Sequence, residues 1–309
     1  MRPEEWIAST VTRFGAGEQG LSRLPDGSFL KDAISLDPLA WLGAEHFAAF
    51  GTSTELLVKL LDPDQRLPVH FHPNKSFSRQ HLSLQHGKTE AWIVLETSPG
   101  ARVGLGFNHQ MTKSQVLALV ESHDSAALLD SLNFLNVNQG DAILVPAGVP
   151  HVIESGIFVL ELQEPTDLSV LLEWDGFAVD GEIDGHLGLG FETALDALNL
   201  SPLSSDYLAT LVRSTDLRSN QASQLFTHAA DGYFHANLVY EGSGSISPSF
   251  SVVLVLEGEG VLQTENSGSI AISRGDALVI PFASGRYEIG GARAISCRPP
   301  ESKAAATAP

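Results

Sequence analysis

One strand-and-turn pattern occurs twice, and it constrains the fold more than any other feature of the chain. "GDAILVPAGVPHVI" covers 140–153 and "GDALVIPFASGRYEI" covers 275–289. Gly140-Asp141 aligns with Gly275-Asp276, and Pro146 with Pro281. In each copy a Gly-Asp turn leads into an apolar strand, and a second Pro/Gly turn closes it. Upstream, "EAWIVLE" (90–96) resembles "FSVVLVLEGEG" (250–260), again a strand and a turn. The interval between the two blocks is longer in the first copy. The surplus is "TKSQVLALVESHDSAALLDSLNFLN" (112–136), where Val116, Leu117, Leu119, Val120, Leu128, Leu129 and Leu132 fall at helical spacing. Short strands with Gly/Pro turns, repeated, predict a mainly β chain of two β-sandwich or jelly-roll barrels.

The expected organisation follows. Residues 1–184 hold an N-terminal region and a first barrel with a helical insert over 112–136. Residues 185–222 form a helical connection, and 223–300 a second barrel. Residues 301–309, low in complexity, read as a disordered tail. The first fifty residues mix helix-like periodicity with polar loops.

The chain has 309 residues, 43% of them hydrophobic, and a net charge of −19. That length suits one large or two moderate domains with real cores. The acidity argues against nucleic acid or an anionic membrane as partner. A single cysteine, Cys297, excludes an intramolecular disulfide and a cysteine zinc cluster. "MRPEEWIAST" has no apolar signal-peptide core, and no long apolar run reads as a membrane span. These features predict a soluble cytoplasmic protein.

Within the first copy, "PVHFHPNK" (68–75) places His70 and His72 two apart. On a strand both imidazoles project from one face, while Val69 and Phe71 face the other way and Pro73 ends the pairing. Two neutral imidazoles can bind one divalent metal. Glu90 opens a strand in "GKTEAW", His151 follows a strand end in "PAGVPH", and Glu161 lies on the next strand in "FVLELQ". If the barrel closes, His70, His72, Glu90 and His151 converge on its interior. Three imidazoles and a carboxylate suit zinc or another borderline divalent ion. The second copy has Arg286 at the position of His151 and no H-x-H, so the architecture does not need these histidines in order to fold.

"PVHFHPNK … HGKTEAWIVLE … GDAILVPAGVPHVIESGIFVLELQEPTD" resembles the class I mannose-6-phosphate isomerases, a bicupin family. The family pattern is Q-V-H-P-D, then G-K-T-E, then P-A-G-x-x-H-A, then a Glu-containing strand. "LDPLAWLG" and "LLVKLLD" resemble its N-terminal region. The resemblance covers nearly the whole chain. It implies two cupin barrels, a helical insert in the first, and a second barrel without metal. It also implies one divalent ion, usually zinc, at positions that fall on His70, His72, Glu90 and His151. Two residues depart from the pattern. His70 replaces a glutamine, which keeps a metal donor. Leu171 stands where the family has an arginine that works at the reacting end of the substrate.

The implied reaction is aldose–ketose isomerisation, mannose 6-phosphate to fructose 6-phosphate or a related sugar. It needs a Lewis acid for the developing enediolate and a base to move the proton from C2 to C1. Glu161 is the candidate base. Lys88, on the face of Glu90, is a candidate donor to a sugar oxygen. Lys75 either meets an anionic substituent or is a solvated surface lysine. Glu173, near Leu171, would disfavour a phosphate. The missing arginine leaves open the same chemistry on an unphosphorylated or otherwise substituted aldose. A cupin that binds sugar without turnover, or a cupin dioxygenase with a three-His, one-Glu set, are further alternatives. His81, His86, His109, His123, His228 and His235 read as polar surface, and Asp141 and Asp276 as turn formers.

Overall fold

The computed structural model describes residues 4–221 and 224–302. Most of the tail expected to be disordered, 303–309, lies outside the described residues. Among the described residues, sixteen strands carry the fold: β1 (Glu4–Ile7), β2 (Leu57–Leu61), β3 (His70–Phe71), β4 (Glu90–Thr97), β5 (Arg102–Phe107), β6 (Leu132–Asn136), β7 (Asp141–Val145), β8 (His151–Ile153), β9 (Ile157–Gln163), β10 (Val170–Leu171), β11 (Val212–Ser214), β12 (His235–Tyr240), β13 (Ser251–Thr264), β14 (Gly268–Ser273), β15 (Ala277–Ile280) and β16 (Tyr287–Arg298). The chain is mainly β, as its repeated strand pattern predicts. No described helix is long and apolar enough to cross a membrane.

The chain divides into two compact units, one built on 61–160 and 166–212, the other on 5–60, 161–165 and 213 onward. In the first unit, one sheet runs β9-β4-β7-β11 and the other β10-β3-β8-β5-β6. The pairings β10–β3, β3–β8, β8–β5, β5–β6 and β4–β7 are all antiparallel.

The expected helical insert is two helices, Lys113–Glu121 and Ser125–Asp130. It stops short of 136, because Leu132–Asn136 becomes β6 and pairs with β5. The first helix opens on Thr112, whose hydroxyl accepts from Gln115 N while Gln115 Oε1 accepts from Thr112 N, a capping box. Its Val116 and Val120 and the second helix's Leu128 join one core cluster with Val69, Phe71, Phe107 and Val152. Strand alternation therefore commits Val69 and Phe71 to the helices, and His70 must project from the opposite face. The segment 185–222 contains short helical pieces at Phe191–Ala194, Leu195–Ala197 and Ser205–Leu211.

The second unit holds a sheet ordered β12-β16-β13-β14, with β15 also on β13. Val239, Val253, Val255, Leu262, Tyr287 and Ile289 form its core. β13 shifts register between Val255 and Glu257 and between Gly258 and Val261. At that bend the Gly290 oxygen would stand 2.0 Å from a Cβ on Gly260, so only glycine fits. The Gly-Asp turns of the repeat are built alike in both units. Asp141 Oδ2 accepts from Asn138 N at 2.8 Å, and Asp276 Oδ2 from Ser273 N at 2.8 Å.

Candidate metal centre

His70, His72 and His151 gather in the first unit, with ligand atoms within 4.8 Å of one another. Strand register brings two of them together: His70 on β3 is the direct partner of His151 on β8. His151 thus follows the end of β7, as expected, and opens a short strand of its own. His72 lies just past the end of β3 and still joins the group, its ring centroid 5.0 Å from His70 and 4.8 Å from His151. All three are buried, with exposures of 9%, 1% and 0% for His70, His72 and His151.

Backbone carbonyls set the proton on each ring. His70 Nδ1 lies 2.8 Å from Pro68 O, His72 Nδ1 2.6 Å from Leu168 O, and His151 Nδ1 2.8 Å from Val149 O. A carbonyl can only accept, so each Nδ1 donates and each Nε2 of a neutral ring is left with its lone pair. Burial, and then the Lys88 ammonium, bring the pKa of His72 down to about 3. Burial, followed by the neighbouring His151 and His72, holds His70 well below its usual range.

Glu90 opens β4 opposite Val145. Its Oε2 is 3.0 Å from His72 Nε2, and its Oε1 is 3.3 Å from His151 Nε2. These close approaches are not hydrogen bonds. His72 Nε2, His151 Nε2 and Glu90 Oε2 are buried, and none makes a hydrogen bond among the described residues. Burial alone would raise the Glu90 carboxyl, but the Lys88 ammonium holds it well below the usual carboxylate range. Two imidazole lone pairs therefore face an ionised carboxylate in a buried interior. Acceptors do not stand against acceptors there unless a cation lies between them. The three-histidine group fits a metal ion on this ground.

Two residues around the carboxylate complete the geometry. Lys88 is 4% exposed, and its Nζ lies 3.0 Å from Glu90 Oε2. Trp92, two residues along β4 on the face of Glu90, donates Nε1–H to Oε1 at 3.0 Å, with its ring 5.6 Å from that of His151. Sequence reasoning passed over Trp92, though its i+2 spacing from Glu90 was the signal. The turn after His72 packs closely on the Lys88 segment: Lys88 N–H donates to Pro73 O at 3.0 Å. A Cβ on Gly87 would meet Asn74 C at 2.6 Å and Lys75 N and Pro73 O at 2.7 Å. The "HGKTE" glycine is thus required by close approach.

The other candidates are placed as follows. Glu161 belongs to the second unit, where it is 4% exposed and lies 3.9 Å from the Nζ of Lys59. Lys59, itself 2% exposed and 4.4 Å from the ring centroid of Trp6, is a second residue that sequence reasoning missed. An apolar-run lysine such as that in "LLVKLL" is rarely buried without a partner. Lys75 is half-buried at the start of the helical turn Lys75–Phe77. Leu171 is the register partner of His70 across β10 and β3, so the two side chains share one face of the sheet.

Glu173 does not act as an open anion. Arg66 grips it with two contacts, at 2.5 and 2.8 Å, and Val69 N–H adds a third at 2.7 Å. Burial would raise its carboxyl, but the Arg66 contact together with hydrogen bonds from Ser125 and Val69 N–H lowers it. His123 pairs with Asp175 at 3.0 Å, His109 Nδ1 with Asn108 at 2.6 Å, and His81 stacks on Phe77 at 4.4 Å. In the second unit the buried Tyr287 hydroxyl meets Ser296 Oγ at 2.5 Å, and Arg286 is exposed.

This fold is the one found in solved mannose 6-phosphate isomerases. A mannose 6-phosphate isomerase bound with zinc and yttrium superposes with a TM-score of 0.68 at 15% identity, covering 96% of this chain and 91% of that one. In sequence the chain is similar to mannose-6-phosphate isomerase ManA of Bacillus subtilis, 25% identical over 90% of this chain and 85% of ManA. It is likewise similar to the mannose-6-phosphate isomerase of Streptococcus mutans, 27% identical over 88% of this chain and 84% of that protein. No family model matches the chain. The resemblance read from the histidine and Gly-Lys-Thr-Glu motifs therefore holds over most of its length.

Proposed function

We propose that this protein is a metal-dependent aldose–ketose isomerase that interconverts mannose 6-phosphate and fructose 6-phosphate. The observation that carries the reading is the convergence of imidazole lone pairs on Glu90, each ring fixed by a main-chain carbonyl. The names of the similar proteins support the substrate. His70, His72 and His151 would hold the ion, with Glu90 as fourth ligand. This nitrogen-rich set suits zinc, the ion in one of the similar structures. When bound, the ion supplies Lewis-acid stabilisation to the sugar oxygens.

The chain's own residues supply the rest. The Glu161 carboxylate takes the C2 proton, and the electron pair forms the C1–C2 double bond of an enediol as O1 is protonated. The Glu161 carboxyl, whose proton exchanges with water, returns a proton at C1 as O2 gives up its own to replace the one O1 has taken, leaving the ketose. Lys88 donates a hydrogen bond to a sugar oxygen, and Lys75 meets the phosphate. In this reading both units carry cupin barrels, the first within 1–184 and the second, metal-free, within 223–300, and the enzyme works in the cytoplasm on a soluble sugar phosphate.

The test is direct. Zinc-loaded protein should form fructose 6-phosphate from mannose 6-phosphate, lose activity to a chelator, and incorporate solvent deuterium at C2. Glu161→Gln should lower turnover by roughly 10²–10⁴-fold with the metal retained. His72→Ala should lose metal and activity together. Full activity in Glu161→Gln would overturn the choice of base. A second reading, the same chemistry on an unphosphorylated or substituted aldose, is favoured by Leu171, an apolar side chain on the face of His70 where the family resemblance implies an arginine. A panel of aldoses and aldose phosphates separates the two.

A further inference from the structure

We propose that His70 and Leu171 work as one unit. Leu171 is a positioning residue: it is the apolar neighbour that lets a third imidazole serve as ligand, and a cation in its place weakens the hold on the ion. These are the two positions at which the chain departs from the isomerase pattern, and the fold makes them neighbours. The inference rests on the metal-centre reading and adds a residue to it.

Strand register brings the two together. β10 is only Val170 and Leu171. Val170 pairs with Phe71, and both are buried in the cluster that holds Val116, Val120 and Leu128 of the helical insert. Alternation then commits Leu171, with its partner His70, to the opposite face, where the three imidazoles gather. Leu171 N–H donates to Gly185 O and Leu172 N–H to Val69 O, each at 2.8 Å. Positions 70 and 171 are therefore a non-hydrogen-bonded pair, the kind whose side chains stand closer, with Cα atoms about 4.5 Å apart. Of the three imidazoles and Glu90, His70 is the most exposed, and Leu171 is itself only half-buried. The centre is thus most open on the side where these two side chains stand.

Hydrogen-bonding capacity explains why the two residues go together. His70 Nδ1–H is spent on Pro68 O at 2.8 Å, and the one remaining lone pair, on Nε2, belongs to the ion. Such a ring has no acceptor to offer a guanidinium, which carries donors only. Charge points the same way. Three neutral imidazoles and Glu90 bring a single negative charge to a dication, and the Lys88 ammonium, 3.0 Å from Glu90 Oε2, already offsets it. A further cation on the His70 face adds repulsion and gains no partner from the ring. A glutamine at 70 differs, because its amide oxygen has two lone pairs, one for an ion and one for a guanidinium. Histidine with leucine and glutamine with arginine are therefore the matched pairs, and the mixed pairs are not.

The test is a double-mutant cycle on the full chain: His70→Gln, Leu171→Arg and the two combined. Zinc competition titration reads affinity, and the visible spectrum of the cobalt-loaded protein reads the ligand set. Leu171→Arg should lower zinc affinity roughly 10–100-fold and shift the cobalt bands. Leu171→Met, similar in bulk and uncharged, should leave both close to wild type. In the His70→Gln background the same arginine should cost roughly tenfold less than it does beside histidine. Melting curves of the apo forms check folding; if Leu171→Arg shows no cooperative transition, Leu171→Lys carries the charge on a slimmer chain and takes its place. Unchanged affinity in the charged variant, or equal losses in the two backgrounds, overturns the pair. Equal losses in a protein that still forms fructose 6-phosphate sink the pair and keep the isomerase reading. Coupled losses in a protein that isomerises no sugar do the reverse. Wild-type protein that takes up neither ion overturns both.

Discussion

A neutral imidazole holds its proton on one nitrogen and a lone pair on the other, and the partner of the first nitrogen decides where the second one works. Pro68, Leu168 and Val149 supply those partners through their carbonyl oxygens. Glu90 is steadied differently, by the Trp92 indole at 3.0 Å. Trp92→Phe keeps an aromatic side chain and removes the donor. Outer-shell losses of this kind cost roughly 10–100-fold in metal affinity. Competition titration against a chromogenic chelator should show that drop while a cooperative melting curve shows that the apo variant still folds. Equal affinity in the two proteins would mean that Trp92 acts only through its bulk.

At the scale of elements, the centre depends on how tightly the turn after β3 meets the segment before β4. Gly87→Ala drives a Cβ into main-chain atoms at 2.6–2.7 Å, with no flexible side chain to yield. Overpacking of this sort costs about 1–3 kcal/mol, so the urea midpoint should fall. The Arg66–Glu173 pair ties β3's approach to the segment after β10, and it carries a pH signature. Arg66 lowers the folded Glu173 carboxyl from its ordinary value of 4.5. The stabilisation is therefore complete above about pH 4.5 and is lost as pH falls through the lower folded value. Glu173→Gln should be less stable than wild type at pH 6–7, with the gap narrowing as the pH drops; a constant gap would contradict the assignment. This pair also marks where sequence reading runs out. The His70–His72 alternation, the Gly-Asp turns and the helical spacing of Val116 and Val120 are local patterns and could be read directly. Arg66 and Glu173 stand 107 residues apart, and nothing local to either announces the other. The end of the helical insert was misplaced because Leu132 continues the apolar spacing, while pairing with β5 makes it a strand. That His151 opens a strand of its own is not legible locally, because β8 is only three residues long and exists through its neighbours.

At the scale of the molecule, a site that closes only in the folded chain links metal to stability. An ion present at a hundred times its dissociation constant adds about 2.7 kcal/mol. With about 2–4 °C per kcal/mol for a chain of this order, chelation should lower the melting temperature by roughly 5–10 °C, and zinc should restore it. No shift on chelation would remove the ion from the native state. The three imidazoles have one more consequence. They are aimed by peptide carbonyls rather than by neighbouring side chains, so the grip on the cation is inherited with the fold itself. The walls that meet a substrate can then drift from one sugar to another over evolutionary time without the protein having to reinvent its cofactor.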